Sequence, residues 1–118
     1  MEAEVLAALG TDRVIDITTT GRFSGEARRI EIWFHNVDGQ IYITGMPGRR
    51  SWYANLLSNA AFTFHLKESV YRDLPAMAIP IVDEARRREI LGTITQRIRS
   101  SVALDDWVAG SPLVEVRL

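Results

Sequence analysis

Two alternating runs joined by Asp38-Gly39 constrain this chain more than any other feature of its sequence. Asp-Gly fits the two positive-φ positions of a type I′ turn, whose twist matches that of the flanking strands. Before it, residues 26–36 alternate. Ile30, Ile32 and Phe34 point one way, and Arg29, Glu31, Trp33 and His35 point the other. After it, Gln40–Thr44 returns with Ile41 and Ile43 on one face. The chain is therefore committed to an antiparallel hairpin at its centre.

The flanks extend this pattern. Residues 2–9 predict a short helix stopped by Gly10, and Arg13–Thr20 is β-branched enough for a strand. Gly21–Gly25 is a turn. Gly45-Met46-Pro47-Gly48 breaks the third strand, and Ser51 is placed to cap a helix through Ser58 with Trp52, Leu56 and Tyr53 on its apolar side. Residues 61–67 predict a strand. Residues 76–82 predict another, which Pro80 assigns to an edge or bulge. Asp83 caps the longest helix, 84–99, with Ile90, Leu91, Ile94 and Ile98 as its buried stripe. Residues 100–111 carry no clear period, and Pro112–Leu118 reads as a last strand. Six strands in hairpin order, with helices between them, predict an α+β, mainly β protein: a small antiparallel barrel or strongly curved sheet. The 118 residues, without repeat or linker, fit one domain over 1–118.

The connectivity also predicts a site. If the first strand runs up, the Gly21 turn is at the top, Asp38-Gly39 is at the bottom, and the third strand delivers Gly45–Arg50 to the top. Arg22, Ser24, Arg49 and Arg50 then share one end of the sheet. Arg28 falls on the face of Ile30 and Ile32, where an arginine needs an anionic partner. That partner is either a ligand phosphate or a structural carboxylate such as Asp16 or Glu26. The start of the Ser51 helix offers free N–H groups to an anion, and Gly45 and Gly48 allow close approach of a ligand. The competing expectation is an ordinary helix start with a solvated Arg-Arg pair.

Other classes are disfavoured. A net charge of −1, from 14 basic and 15 acidic residues, gives no general affinity for nucleic acid. The absence of cysteine excludes disulfides, thiolate metal sites and a cysteine nucleophile, and two histidines make a histidine-rich metal site a poor expectation. The acidic start Met1-Glu2-Ala3-Glu4 is unlike a signal peptide, and no apolar run is long enough to span a membrane, so a cytoplasmic location is the expectation. Arg86-Arg87-Arg88 reads as a solvated helix face. His35 and His65 fall on polar strand faces. Trp33 marks either a self-association surface or a ring covered by the long helix. No established catalytic motif is present and no catalytic residue is assigned, so a cofactor is expected to supply the chemistry.

Thr18–Gly25 (Thr-Thr-Thr-Gly-Arg-Phe-Ser-Gly), then Arg28, the Asp38-Gly39 hairpin and Trp52-Tyr53-Ala54-Asn55-Leu56, together resemble the deazaflavin-dependent nitroreductase family over residues 13–82. These are flavin/deazaflavin oxidoreductases with a split β-barrel like that of pyridoxamine-phosphate oxidase. The resemblance implies coenzyme F420, with FMN as the alternative. It implies hydride transfer to a quinone, nitro compound or activated alkene. The rival expectations are an FMN-binding reductase or oxidase and a non-catalytic binder of flavin, fatty acid or heme. Carried over, Arg22, Ser24 and Arg28 would lie near the cofactor phosphate. Gly45, Met46 and Gly48 would line the ring system, Arg49 and Arg50 would meet phosphate or the acidic tail, and Trp52 would form a wall. Asn55 would hold helix and loop together. Phe23 stands where family members often carry lysine. A homodimer is the expected assembly.

Overall fold

A computed structural model describes all 118 residues. The chain folds as α1 (Ala3–Thr11), β1 (Val14–Thr20), β2 (Ala27–Trp33), β3 (His35–Val37), β4 (Gln40–Thr44), α2 (Ser51–Ser58), β5 (Ala61–Leu66), β6 (Arg72–Pro80), α3 (Glu84–Ile98), α4 (Leu104–Gly110) and β7 (Leu113–Arg117). All strands join one sheet in the order β2-β1-β5-β6-β7-β4-β3, and every pairing is antiparallel. The sheet curls into a half-barrel, consistent with a split barrel.

There are seven strands, not six, because the long second strand breaks at Phe34. Its first part pairs with β1, in the register Thr19↔Arg28, Ile17↔Ile30 and Ile15↔Ile32. Its second part pairs across the hairpin with β4, as His35↔Tyr42. Phe34 is buried between them, edge-on to Phe64 at 5.3 Å, and its amide donates to Arg13 O at 3.0 Å. The hairpin itself is as expected, with Asp38 at φ 52° and Gly39 at φ 86°.

The inner face of the sheet carries the larger core. Ile15, Ile17, Ile43, Phe64, Leu66 and Val114 meet Val5, Ala8 and Leu9 of α1 and Trp52 and Leu56 of α2. A second cluster lies where α3 and α4 cover Tyr42 and Leu113 with Ile90, Leu91, Ile94, Trp107 and Val108. Asp83 caps α3 through Oδ2, which accepts from the Arg86 amide at 2.9 Å.

Several expectations need correction. Helix α1 runs through Gly10 to Thr11. Ile98 is exposed, so the buried stripe of α3 ends at Ile94. Strand β6 begins at Arg72 and lies inside the sheet between β5 and β7, with Pro80 at its last paired position. The unassigned stretch contains α4. The three arginines of α3 do not form a free charged face: Arg86 bonds Glu115, Arg88 bonds Asp105, and Arg87 donates to backbone carbonyls. Trp33 is not covered by α3; it is half-exposed, with the Arg13 guanidinium 5.5 Å from its ring centre.

Candidate functional site

Antiparallel connectivity brings both glycine turns to the same end of the sheet, but the residues of the second turn do not meet the first; the helix that follows it does, and Asn55 is the joint. It is buried on α2. Its Nδ2 donates to Thr19 Oγ1 at 3.1 Å, while its Oδ1 accepts from the Arg22 amide at 3.1 Å and from Arg22 Nη1 at 3.3 Å. The first turn is thus tied to the helix that follows the second. Between them opens a cleft of about 350 Å³. Arg22, Ser24 and Arg28 line it on one side, Ser51, Trp52 and Asn55 on the other, with Thr19 and Ile30 in its floor.

Each lining group has a local cause. Arg28 and Ile30 point to the inner face as alternation demands, yet both are exposed because β2 is an edge strand that overhangs the opening. Arg28 has the structural partner that was one of its two expectations: Nη2 lies 3.3 Å from Glu26 Oε2, and also 3.5 Å from Ser24 Oγ. Arg22 has no carboxylate partner and lies over the Phe23 ring at 4.7 Å. Gly21 is needed for space, since a Cβ there would fall 2.5 Å from Ser24 Oγ. At the start of α2, Arg50 occupies the cap position and its side chain accepts nothing, so the helix presents uncapped N–H groups beside Ser51. Ser51 is the first helical residue, not the cap. Arginine, hydroxyl and helix-terminus donors against the apolar Trp52, Ile30 and Phe23 make a place for an anionic group attached to a flat ring system.

The other expected site residues go elsewhere. Arg50 folds back on its own loop, donating from Nη2 to Met46 O at 3.0 Å and from Nη1 to Arg49 O at 2.9 Å. Gly48, at φ 131°, leaves room for it, since a Cβ there would lie 3.0 Å from Arg50 Nη1. Gly45 and Met46 line neither this cleft nor the second one, which Gly48 and Arg49 help to form on the other side of α2. Ser51 lines the cleft at the helix start that the sequence marked for an anion, whereas Thr19 and Ile30 were not named there as site residues. Pairing of Thr19 with Arg28 is the signal that would have found these two.

The outer face of the sheet carries a separate polar network. His65 is buried there despite its polar strand face; its Nδ1 donates to Asp73 Oδ1 at 2.6 Å, and the Thr18 hydroxyl lies 2.7 Å from Nε2. The hydrogen bond from His65 holds the Asp73 carboxyl below its usual range. Lys67 bonds Asp16 at 2.6 Å and also Glu31, and Arg29 bonds Asp16 at 3.0 Å, which lowers the Asp16 carboxyl. No group of three or more metal-ligating side chains is assembled.

Comparison with known proteins agrees with this architecture. A conserved hypothetical protein of Mycobacterium tuberculosis superposes with a TM-score of 0.74 at 16% identity, over 99% of this chain and 79% of that one. An F420 reductase gives 0.69 at 15%, over 94% and 90%. An F420-H2 dependent reductase gives 0.60 at 18%, over 90% and 95%. At such identities the likeness establishes the fold alone. No curated protein matches the sequence. The family model of the F420H(2)-dependent quinone reductases, however, matches residues 2–101. With that match over most of its length, the chain belongs to the F420H(2)-dependent quinone reductase family.

Proposed function

We propose that the cleft between Arg22 and Trp52 holds the cofactor and that the acceptor is a small electrophile, a quinone first and a nitro compound or activated alkene second. Membership of the family makes the protein an F420-dependent oxidoreductase and sets aside the non-catalytic carrier. Reduced coenzyme F420, when bound, supplies the hydride.

The residues fit such a group. One observation carries the reading: Arg22, without a carboxylate partner, stands beside the uncapped start of α2 in a cleft with an apolar wall. Arg22, Ser51 and the α2 amides would take the phosphate, and Arg28 would leave Glu26 to join them. Trp52 and Ile30 would flank the ring system and keep water from it. Asn55 would keep the turn at its distance from the helix. No side chain of the cleft is an evident proton donor, so solvent would supply the proton to the reduced acceptor.

The test is a fluorescence titration of wild type and the Arg22→Ala/Arg28→Ala double variant with F420 and, separately, FMN, followed by turnover with menadione. Loss of two charge-assisted hydrogen bonds predicts F420 binding weaker by on the order of 30-fold or more in the double variant. Unchanged affinity would remove the site from this cleft. FMN preferred over F420 in the wild type would oppose the deazaflavin reading.

We also read the chain as one cofactor-binding domain that acts in the cytoplasm as a homodimer. No helix is long and apolar enough to cross a membrane. A structural neighbour at 18% identity is described as a domain-swapped dimer. The half-exposed Trp33 on the outer face is the surface to test, by sedimentation of Trp33→Glu.

A further inference from the structure

A small polar pocket of about 150 Å³ lies at the end of the sheet opposite the cofactor cleft, where α1 runs into β1 and the second strand breaks at Phe34. Arg13, His35 and Arg97 reach it from three elements: the link after α1, β3 and α3. Both arginines are held in place without being neutralised. The Arg13 guanidinium lies over the Trp33 ring at 5.5 Å, and the hydrogen bonds of this residue are made by its backbone, from its amide to Glu68 and at its carbonyl from Phe34. Arg97 is pinned by one bond, from Nη1 to Asn36 O at 2.6 Å, which leaves most of its N–H groups free. Neither guanidinium has a carboxylate in ion-pair range.

The acids nearby are engaged elsewhere. Asp12, the one acid lining the pocket, accepts from the Ser69 amide at 3.2 Å and from the Ser69 hydroxyl at 3.0 Å. Glu68 accepts the amides of Arg13 and Val14. His35 is half-buried, and its ring makes no hydrogen bond within the protein. The charged and titratable groups around it are Asp12 and Arg13 beyond α1, Arg97 on α3 and Tyr42, its partner on β4. Burial and the two guanidinium charges keep the imidazole neutral at pH 7. An anion lying between those charges would cancel their effect on it and give the ring an acceptor for its proton. Two guanidinium forks and an imidazole converge on a space too small for a ring system. A planar carboxylate is satisfied by one fork, whereas donors from three directions suit a tetrahedral group.

We propose that this pocket is a tetrahedral oxyanion site, taking sulfate or phosphate between Arg13 and Arg97 with His35 as the third donor. It stands apart from the cofactor assignment, which concerns the other end of the sheet. A bound anion would brace the end of α1, β3 and α3 across the break at Phe34.

The probe is sulfate, whose charge is fixed between pH 5 and pH 7, titrated into the purified protein at constant ionic strength while imidazole and amide resonances are followed by NMR. Expected are saturable shifts at His35 and Asn36 but not at His65, with a Kd on the order of 1 mM at pH 6. Arg13→Gln and Arg97→Gln should each weaken binding by on the order of tenfold; both side chains are exposed, so neither replacement opens the core. Acetate should bind several-fold more weakly than sulfate. Affinity for sulfate should rise on the order of tenfold from pH 7 to pH 5, because the complex takes up a proton at His35 that the free protein does not. His35→Gln, read from the Asn36 amide, should lose that rise. Phenyl phosphate identifies the source: binding comparable to that of sulfate assigns the site to the phosphate of a larger metabolite, and exclusion assigns it to the free anion. No saturable shift, sulfate binding untouched by both arginine variants, acetate as tight as sulfate, or a pH rise that survives in His35→Gln would overturn the proposal.

Discussion

At the scale of the residue, Asn55 shows how one side chain can hold a site together. Replacing it by alanine would leave the Arg22 amide and the Thr19 hydroxyl without their partner in a buried joint. Asn55→Ala is expected to cost about 2–3 kcal/mol in urea unfolding and to weaken F420 binding by loosening the turn. His35 gives a pH signature. Burial, and then the charges of Arg97 and Arg13, push its pKa down to about 4. The unfolded chain therefore takes up a proton near the ordinary histidine value while the native protein does not, so stability is lost as pH falls from about 6.5 towards 4. Between pH 7 and pH 5 the loss from this group is about 2 kcal/mol, and His35→Gln should remove that slope from urea unfolding at the two values. Sequence pattern placed Arg28 on the correct face but could not show its neighbours. It was Glu26, two residues away, that paired with it, while Asp16 went to Lys67 and Arg29. His65 lies on the polar strand face as expected, but its burial was not legible, because its partner Asp73 comes from the next strand and only the β5–β6 register supplies it.

At the scale of the element, the Gly21–Gly25 turn and the first turn of α2 form one unit. Gly21→Ala must drive the Ser24 hydroxyl aside, breaking its hydrogen bond from the Glu26 amide, and also crowds the Glu26 carbonyl at 3.3 Å. F420 affinity is expected to fall several-fold and the unfolding midpoint to drop by a few degrees, read from parallel titration and thermal melts. Elements with strong local signals were legible: the Asp38-Gly39 hairpin, β4, and α3 with its Asp83 cap. The break at Phe34 was not, because the apolar alternation runs through it without interruption; the curl of the sheet forces the change of partner. Helix α4 escaped notice because seven residues give too few turns for a period. The Arg49-Arg50 pair looked like one charged unit, whereas the Gly48 backbone turns Arg50 inward and leaves Arg49 outside.

At the scale of the whole molecule, the charge balance is nearly neutral, so the cleft proposed for the cofactor would owe its pull on an anion to local charge, above all to Arg22, which unlike Arg28 has no carboxylate partner. Raising salt from 0.1 M to 1 M shortens the screening length from about 10 Å to about 3 Å. F420 affinity should therefore drop several-fold by titration across that range. An unaltered affinity would mean that the ring, not the charge, dominates binding. The sheet order holds a further consequence. Its two outermost strands, β2 and β3, are the two halves of a single run of chain, hinged at a buried phenylalanine. Ordinarily the rims of a sheet fray independently. Here a strand lifting from one rim pulls through a single residue on the other, so amide exchange in Ala27–Trp33 and in His35–Val37 should report one shared opening, and neither rim is left loose to recruit a foreign strand.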